Sequence, residues 1–329
     1  MNRSQRCKHS NTYNRRQVLG LLAGGAACAC CGSVHANKLA YDLAATEIAA
    51  GTWAVHGSTE YFTLENGGNI VNVAFVEVPD GVVVIDTGPS KRYGEALLAL
   101  INKTIPGKEV LRVYNTHHHP DHFLGNQVFE QALIAAPQQV IDNILAEGDG
   151  FADNMYRLVG DWMRGTASIA PATAIENSFE EIGGRRFSLF YLSGHTSSDL
   201  VVRDDETGVL FSGDLAFFNR APTTPHADIS TWQESLKTIE SLDKELILPG
   251  HGLSDTSGAS LEQTGDYLDW LETSLTDATS IGLTMNEAMA LPIPKRFRSI
   301  DVVDTEYQRS VVHLYLALEE DLMPLIKLK

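Results

Sequence analysis

Cysteine is confined to the first 31 of 329 residues: Cys7, Cys28, Cys30 and Cys31 are the full complement. Beyond them a disulfide framework is excluded in any redox compartment, and metal or nucleophile chemistry must rely on other side chains. Cys28, Cys30 and Cys31 lack the second pair of a metal site, and Gly25-Ala26-Ala27 lacks the leucine of a lipobox. Basic residues are also few, 25 Lys and Arg against 42 Asp and Glu. Arg3, Arg6, Lys8, Arg15 and Arg16 fall within residues 1–36, which hold no acid, so the remainder carries 20 basic against 42 acidic side chains, a net −22. Such a surface repels nucleic acid and anionic lipid, and neither is expected as a partner. Long apolar runs are missing too. The Gly- and Ala-rich stretch Val18–Cys31 is too short and too weakly apolar for a transmembrane helix. No internal repeat or low-complexity stretch occurs, and 43% hydrophobic with 20% charged residues is ordinary for a globular chain.

The N-terminus reads as a targeting segment. Asn14-Arg15-Arg16-Gln17-Val18-Leu19 resembles a twin-arginine export motif, and Val34-His35-Ala36 offers small residues to a signal peptidase. The expectation is a signal peptide over residues 1–36, a catalytic domain over 37–255 and a C-terminal helical extension over 256–329 packed on the same domain. The protein is expected in the periplasm, with no stable membrane insertion once the signal is cleaved.

The chemistry concentrates in Thr116-His117-His118-His119-Pro120-Asp121-His122, which follows the apolar run Val110–Tyr114. At an extended strand end, residues i and i+2 face the same way, so His117 and His119 can grip one ion. The turn made by Pro120 then swings Asp121 and His122 toward a neighbouring one. Later come His195 in Ser-Gly-His-Thr, Asp214 in Phe-Ser-Gly-Asp and His251 in Leu-Pro-Gly-His-Gly, each expected after a strand and a glycine. Imidazole and carboxylate without thiolate suit zinc, and three ligands fall to each ion with one bridge.

H-x-H-x-D-H followed by spaced Gly-His, Gly-Asp and Gly-His resembles the metallo-β-lactamase fold superfamily of zinc hydrolases, as does Val82-Val83-Val84-Ile85-Asp86-Thr87-Gly88 upstream. The resemblance runs from about Thr46 to Gly252. It implies an α/β fold, a four-layered αβ/βα sandwich with metals at the rim between the sheets, here with the C-terminal helical extension. It also implies two Zn²⁺ per chain: His117, His119 and His195 on the first, Asp121, His122 and His251 on the second, and Asp214 bridging them. Asp121 is the expected catalytic residue, orienting the nucleophile, and Asp86 is expected to hold the metal loop from outside. His118 and His56 have no ligand role and read as structural or surface residues.

Local pattern fills in the elements. Thr52–His56, Ile70–Val78 and Val82–Ile85 read as an antiparallel opening, and Ser90 starts a helix with Tyr93, Leu97, Leu100 and Ile101 on one face. Gln138–Glu147 reads as a helix. Gly148–Pro171 holds Phe151, Tyr156, Trp162 and Met163, either a helical excursion lining a cleft or plain core. Arg186–Leu192, Leu200–Arg203, Val209–Ser212 and Glu245–Leu248 read as the strands of a second sheet, with Asp228–Leu242 as a helix between the last two and residues 259–279 and 305–326 as C-terminal helices.

Two zinc ions sharing a water lower its pKa from about 15.7 to near 7, which supplies a metal-bound hydroxide for an ester-, thioester- or amide-like bond of a small-molecule substrate. Oxygen-reducing di-iron members of the superfamily place Glu where this chain has His119, and lactamases of the cysteine-ligand subclass place Cys where it has Asp214. Hydroxyacylglutathione hydrolases share the bridging Asp, but the C-terminal part here lacks a basic cluster for glutathione. Leu64-Glu65-Asn66-Gly67-Gly68-Asn69-Ile70, Ala74-Phe75 and the Ser90–Leu97 helix start, with the export motif, resemble the quinoprotein relay system zinc metallohydrolases. That resemblance implies a functional link to periplasmic quinoprotein dehydrogenases. The alternatives are a β-lactamase and a non-catalytic periplasmic metal-binding accessory protein. Leu215, Ala216, Phe217 and Phe218, where cysteine-ligand lactamases carry a carboxylate-anchoring Lys, predict an apolar wall, poor lactam turnover and a preference for apolar esters or thioesters.

Overall fold

The computed structural model describes residues 39–322; the export motif, its cleavage site and the four cysteines lie outside that range. Seven strands form the first sheet in chain order: Thr46–Ala49 (β1), Thr52–Val55 (β2), Val73–Val78 (β3), Gly81–Ile85 (β4), Val110–Tyr114 (β5), Ile134–Ala136 (β6) and Thr173–Ala174 (β7). The first four pair antiparallel, β1 with β2 and β3 with β4 through short turns and β2 with β3 across the longer connection 56–72. From β4 onward the pairing is parallel, which requires crossovers. The first crossover is the helix Lys91–Thr104 (α1), whose Ser90 caps the Tyr93 amide and whose Tyr93, Leu97 and Ile101 are buried.

The second sheet contains Phe179–Ile182 (β8), Arg185–Leu192 (β9), Asp199–Asp204 (β10), Val209–Phe217 (β11) and Leu246–His251 (β12), in the order β12-β11-β10-β9-β8. Only β11 and β12 are parallel, joined through the helix Ile229–Ser241 (α4). Side chains from both sheets meet in one core, with Val83, Ile85 and Tyr114 against Phe187, Leu200 and Phe211. Outside the first sheet, Phe75 and Val84 pack on Tyr93, Leu97 and Ile101 of α1. Outside the second, Val201 and Leu210 pack on Trp232, Leu236 and Ile239 of α4 and on Leu261 and Leu268 of Ala259–Ser280 (α5). Helix, sheet, sheet and helix therefore stack as an αβ/βα sandwich, each large apolar side chain buried between layers contributing about 1.5–3 kcal/mol.

At the C-terminal end, α5, Met285–Met289 (α6) and Val303–Leu322 (α7) share a core of their own around Tyr267, Leu271, Tyr307 and Tyr315. Two sequence expectations are corrected. The helix expected over Gln138–Glu147 continues unbroken to Val159 (α3), because Gly148 packs tightly against Ser168 and Phe123 and Gly150 faces open space, so neither glycine ends it. Strand β11 does not stop at Ser212 but runs on through Asp214 to Phe217, with a register shift where Gly213 adopts φ +50°. Asp214 thus stands within a strand that pairs with β12 before and after it, and not on a loop after one.

Candidate metal centre

The carboxyl end of β5 delivers the histidine-rich segment to the rim between the two sheets. Pro120, at the first position of the short helix Pro120–Phe123 (α2), turns the chain so that Asp121 and His122 point back toward the cleft. His195 arrives on the turn between β9 and β10, Asp214 from inside β11 and His251 as the last residue of β12. All seven side chains are buried, and they fall into two groups whose ligand atoms lie within 4.8 Å of one another. One group is His117, His119, His195 and Asp214; the other is Asp121, His122 and His251.

Asp214 stands between them. Its Oδ2 is 3.9 Å from His117 Nε2 and 3.4 Å from His195 Nε2, and also 3.2 Å from His251 Nε2. Its Oδ1 is 3.1 Å from His122 Nε2. Asp121 Oδ2 completes the second group, 3.4 Å from His251 Nε2 and 3.8 Å from His122 Nε2. His117 Nε2, His122 Nε2 and Asp214 Oδ1 are buried with no hydrogen-bond partner although all three face the same space. Polar atoms orphaned in this way cost free energy unless something coordinates them, so the donor set fits two divalent cations, with Asp214 able to reach both.

The other face of most rings is tied down. His122 Nδ1 lies 2.8 Å from Asp86 Oδ2, His117 Nδ1 lies 3.0 Å from Thr116 Oγ1, and His251 Nδ1 lies 2.7 Å from the Ile70 carbonyl. Asp86 also accepts from the Thr116 amide at 2.9 Å and from its hydroxyl at 2.8 Å. It does so with φ +61°, a conformation uncommon for a residue with a side chain. This is the outer, loop-holding position expected for Asp86. Asn72 is a second clamp, donating from its side chain to the Pro249 and Gly252 carbonyls around His251. Gly250 is obligatory: a Cβ there would sit 1.9 Å from Asp214 Oδ1.

Charge is distributed unevenly. Burial, helped by crowding among the imidazoles, holds His117 and His119 well below the usual histidine range, and burial brings His195 down to about 3. Burial works the same way on His122, yet the carboxylates of Asp214, Asp86 and Asp121 outweigh it and hold that ring well above the usual range. Burial pushes Asp199 up to about 7 against two hydrogen bonds from Thr196, which brace the turn bearing His195.

The cleft over the centre departs from the sequence expectation. Leu215, Ala216 and Phe217 do not wall it: they continue β11 into the core with Trp232, and Phe217 stacks on the His251 ring at 5.2 Å. The apolar wall comes instead from Phe62, Phe151, Met155 and Leu158, with Arg220 and Arg309 beside it. Phe151 therefore lines the cleft, whereas Trp162 and Met163 are core and Tyr156 is exposed. Arg220 is buried 3.6 Å from the equally buried Glu306 of α7, which also pairs with Arg309 at 3.5 Å. A roomier hollow between α4, β12 and α5 is lined by Lys237, Glu240, Asp266 and Asp269 and holds none of the seven ligand side chains.

Three residues near the centre had no signal in the sequence: His226, Glu147 and Arg309. His118 is buried, not on the surface, and its Nε2 lies 3.9 Å from Glu147 Oε2. His226, on the loop after β11, places Nδ1 2.8 Å from His119 Nε2. His56 lies apart, 3.0 Å from Ser254 Oγ.

The profile of the metallo-beta-lactamase superfamily matches residues 66–251. A linear primary-alkylsulfatase from Pseudomonas sp. is 22% identical, over 72% of this chain and 53% of its own, so the chain spans about half the length of that relative. The human acyl-coenzyme A thioesterase MBLAC2 is 24% identical over 56% of this chain and 74% of its own. Among solved structures, the stereoselective inverting sec-alkylsulfatase Pisa1 from Pseudomonas sp. superposes with a TM-score of 0.63 at 19% identity, covering 83% of this chain and 50% of that one. A metallo-beta-lactamase from Pontibacter korlensis gives 0.55 at 23%, covering 69% and 99%. At these identities the structural likeness speaks for the fold alone.

Proposed function

Since the chain belongs to the metallo-beta-lactamase superfamily, we propose that it is an exported dinuclear zinc hydrolase acting on an ester-, thioester- or amide-like bond of a small molecule, of the quinoprotein relay branch. The observation that carries this reading is the pair of ligand groups sharing Asp214, with three of their buried atoms unpartnered. His117, His119 and His195 would hold one zinc, Asp121, His122 and His251 the other, with Asp214 between. Bound there, the ions would act as Lewis acids and lower the pKa of a shared water to about 7. The chain supplies the rest. Asp121, holding the second ion through one carboxylate oxygen, would accept a hydrogen bond from the attacking water and fix its direction. Phe62, Phe151, Met155 and Leu158 exclude bulk water and take an apolar portion of the substrate.

Protein purified without chelator is expected to carry about two equivalents of zinc by elemental analysis. Asp121→Asn should lower ester or thioester hydrolysis about 10²–10⁴-fold while the circular dichroism stays native. A single stably bound iron, or full activity in the variant, would overturn the assignment. For export, changing Arg15 and Arg16 together to Lys should leave an uncleaved protein in the cytoplasm, since Lys keeps the charge but not the guanidinium geometry. Cleaved protein outside the cytoplasm in that variant would refute the twin-arginine route.

A second reading, hydrolysis of a sulfate ester, is favoured by the two arginines beside the apolar wall and by the similarity to the alkylsulfatase. Arg220 and Arg309 carry two positive charges against the single carboxylate of Glu306, which suits an anionic group on an otherwise apolar substrate. Comparing kcat/KM for alkyl sulfates with that for carboxylic esters and thioesters of the same chain length separates the two readings.

A further inference from the structure

Each ligand histidine has one ring nitrogen facing the ligand group, and for His117, His122 and His251 the other meets an oxygen. His119 is different. Its Nδ1 faces inward, 2.8 Å from His195 Nε2, and its Nε2 lies 2.8 Å from Nδ1 of another histidine, His226. On the far side, His226 Nε2 is 3.7 Å from Glu147 Oε2 on α3. His226 is half-exposed at the cleft, with its ring 5.2 Å from that of His118 and 6.1 Å from that of Phe151.

The loop that carries His226 is fixed at several points. Thr224 Oγ1 donates to Ser310 Oγ of α7 at 2.7 Å, the Ala227 amide donates to the Thr224 carbonyl at 3.1 Å, and the Asp228 amide donates to the Gly194 carbonyl at 2.9 Å. Asp228 in turn caps α4 through the Thr231 amide. The same loop is thus tied to the turn bearing His195 and to the C-terminal helix, which fixes the backbone that carries His226.

We propose that His226 is a positioning residue for the all-histidine ligand group, accepting the Nε2 proton of His119 so that His119 presents an unprotonated Nδ1 to the metal. The inference rests on the metal reading above and extends it. The tautomers follow in series. With Nδ1 committed to a cation, His119 carries its proton on Nε2 and donates it to His226 Nδ1. His226 then carries its own proton on Nε2, the side of the ring on which the Glu147 carboxylate lies 3.7 Å away, beyond hydrogen-bond length. The contact from His119 to His226 orients the ring and raises its basicity as a ligand, the part an outer carboxylate or carbonyl plays for other metal-binding histidines. A third cation held jointly by His118, His119 and His226, whose nitrogens also lie within 4.8 Å of one another, is the competing arrangement. It would need the Nε2 of His119 to give up its proton as well.

The test measures metal affinity, not turnover. Full-length protein is stripped of metal and titrated with Co²⁺ against a chromophoric chelator, with the visible spectrum separating the two groups, for wild type, His226→Leu and His226→Asn. Asparagine places an amide oxygen near the position of the imidazole Nδ1 and can accept the same hydrogen bond. His226→Leu should weaken the first, all-histidine site about 10–100-fold and leave the second within about twofold, while His226→Asn should recover most of the loss. Unchanged affinity in His226→Leu would overturn the proposal. So would equal losses in both variants, which is the signature of packing alone, or a third equivalent of Co²⁺ that vanishes with His226. If wild type binds no Co²⁺ at the histidine group, the metal reading itself fails, an outcome distinct from any of these.

Discussion

The two halves of the centre are built on opposite electrostatics. On one side His117, His119 and His195 are three imidazoles that burial keeps neutral. On the other, His122 sits among Asp214, Asp86 and Asp121, which hold a proton on it. The first half can thus take a cation without net loss of a proton, whereas the second must release one. Coordination strength and proton inventory are set separately on the two sides of one shared carboxylate.

Removing that shared carboxylate should erase the comparison. Asp214→Asn is expected to cost both halves affinity and to lower any hydrolytic activity by more than the roughly 100-fold that marks the upper end for an outer partner. Retention of two equivalents of metal after dialysis would show that Asp214 does not join the halves. Asp86→Asn should sharpen it by acting on one half only. That variant unpairs His122 Nδ1 and weakens the hold on Thr116, so the second half should lose about 10–100-fold in affinity while the first keeps its metal. The fold should lose about 1–3 kcal/mol, read as a lower denaturation midpoint.

The pH dependence comes last, and its sign differs between the halves. For His195, His117 and His119 the folded value lies below the unfolded value of about 6.5. The stability tied to them is present above about pH 6.5 and is lost as the pH falls toward the folded values, at about 1.4 kcal/mol per pH unit per group. For His122 the folded value is raised. Its contribution is therefore fully present below about pH 6.5 and lost as the pH rises through the folded value. Metal-free protein should melt at progressively lower temperature from pH 6.5 to pH 5 in a calorimeter. Loaded protein dialysed over the same range should give up the second metal before the first, because only the second half takes back a proton in that window.

The seven candidate ligands were legible because coordination demands particular side chains: four crowd the end of β5, and His195, Asp214 and His251 each follow a glycine. The four layers were implied by the family resemblance, and runs such as Val82–Ile85 and Val209–Phe211 marked individual strands, whose burial matches their apolar composition. What escaped reading is non-local. His226 and Glu147 lie on a loop and on a helix 79 positions apart, and nothing in either neighbourhood marks their approach to His119. The apolar run after Asp214 misled for a related reason: composition says that Leu215 and Phe217 avoid water, not whether core or cleft shields them. Glycines within α3 likewise imitate a helix end until their packing is known.

The buried pair between Arg220 and Glu306 has a consequence for how such a chain can diverge. All seven ligand side chains lie between residues 117 and 251, whereas Arg309, on the face of α7 that Glu306 fastens to Arg220, belongs to a stretch beyond residue 251. One charge at the mouth of the cleft is thus encoded apart from the ligand residues, while Phe62, Phe151 and Arg220 of the same lining are not. A substitution at position 309 can reverse or remove the charge at the mouth of the cleft while every cation-holding atom stays where it was, so descendants of one ancestor can inherit the same chemistry and apply it to different molecules.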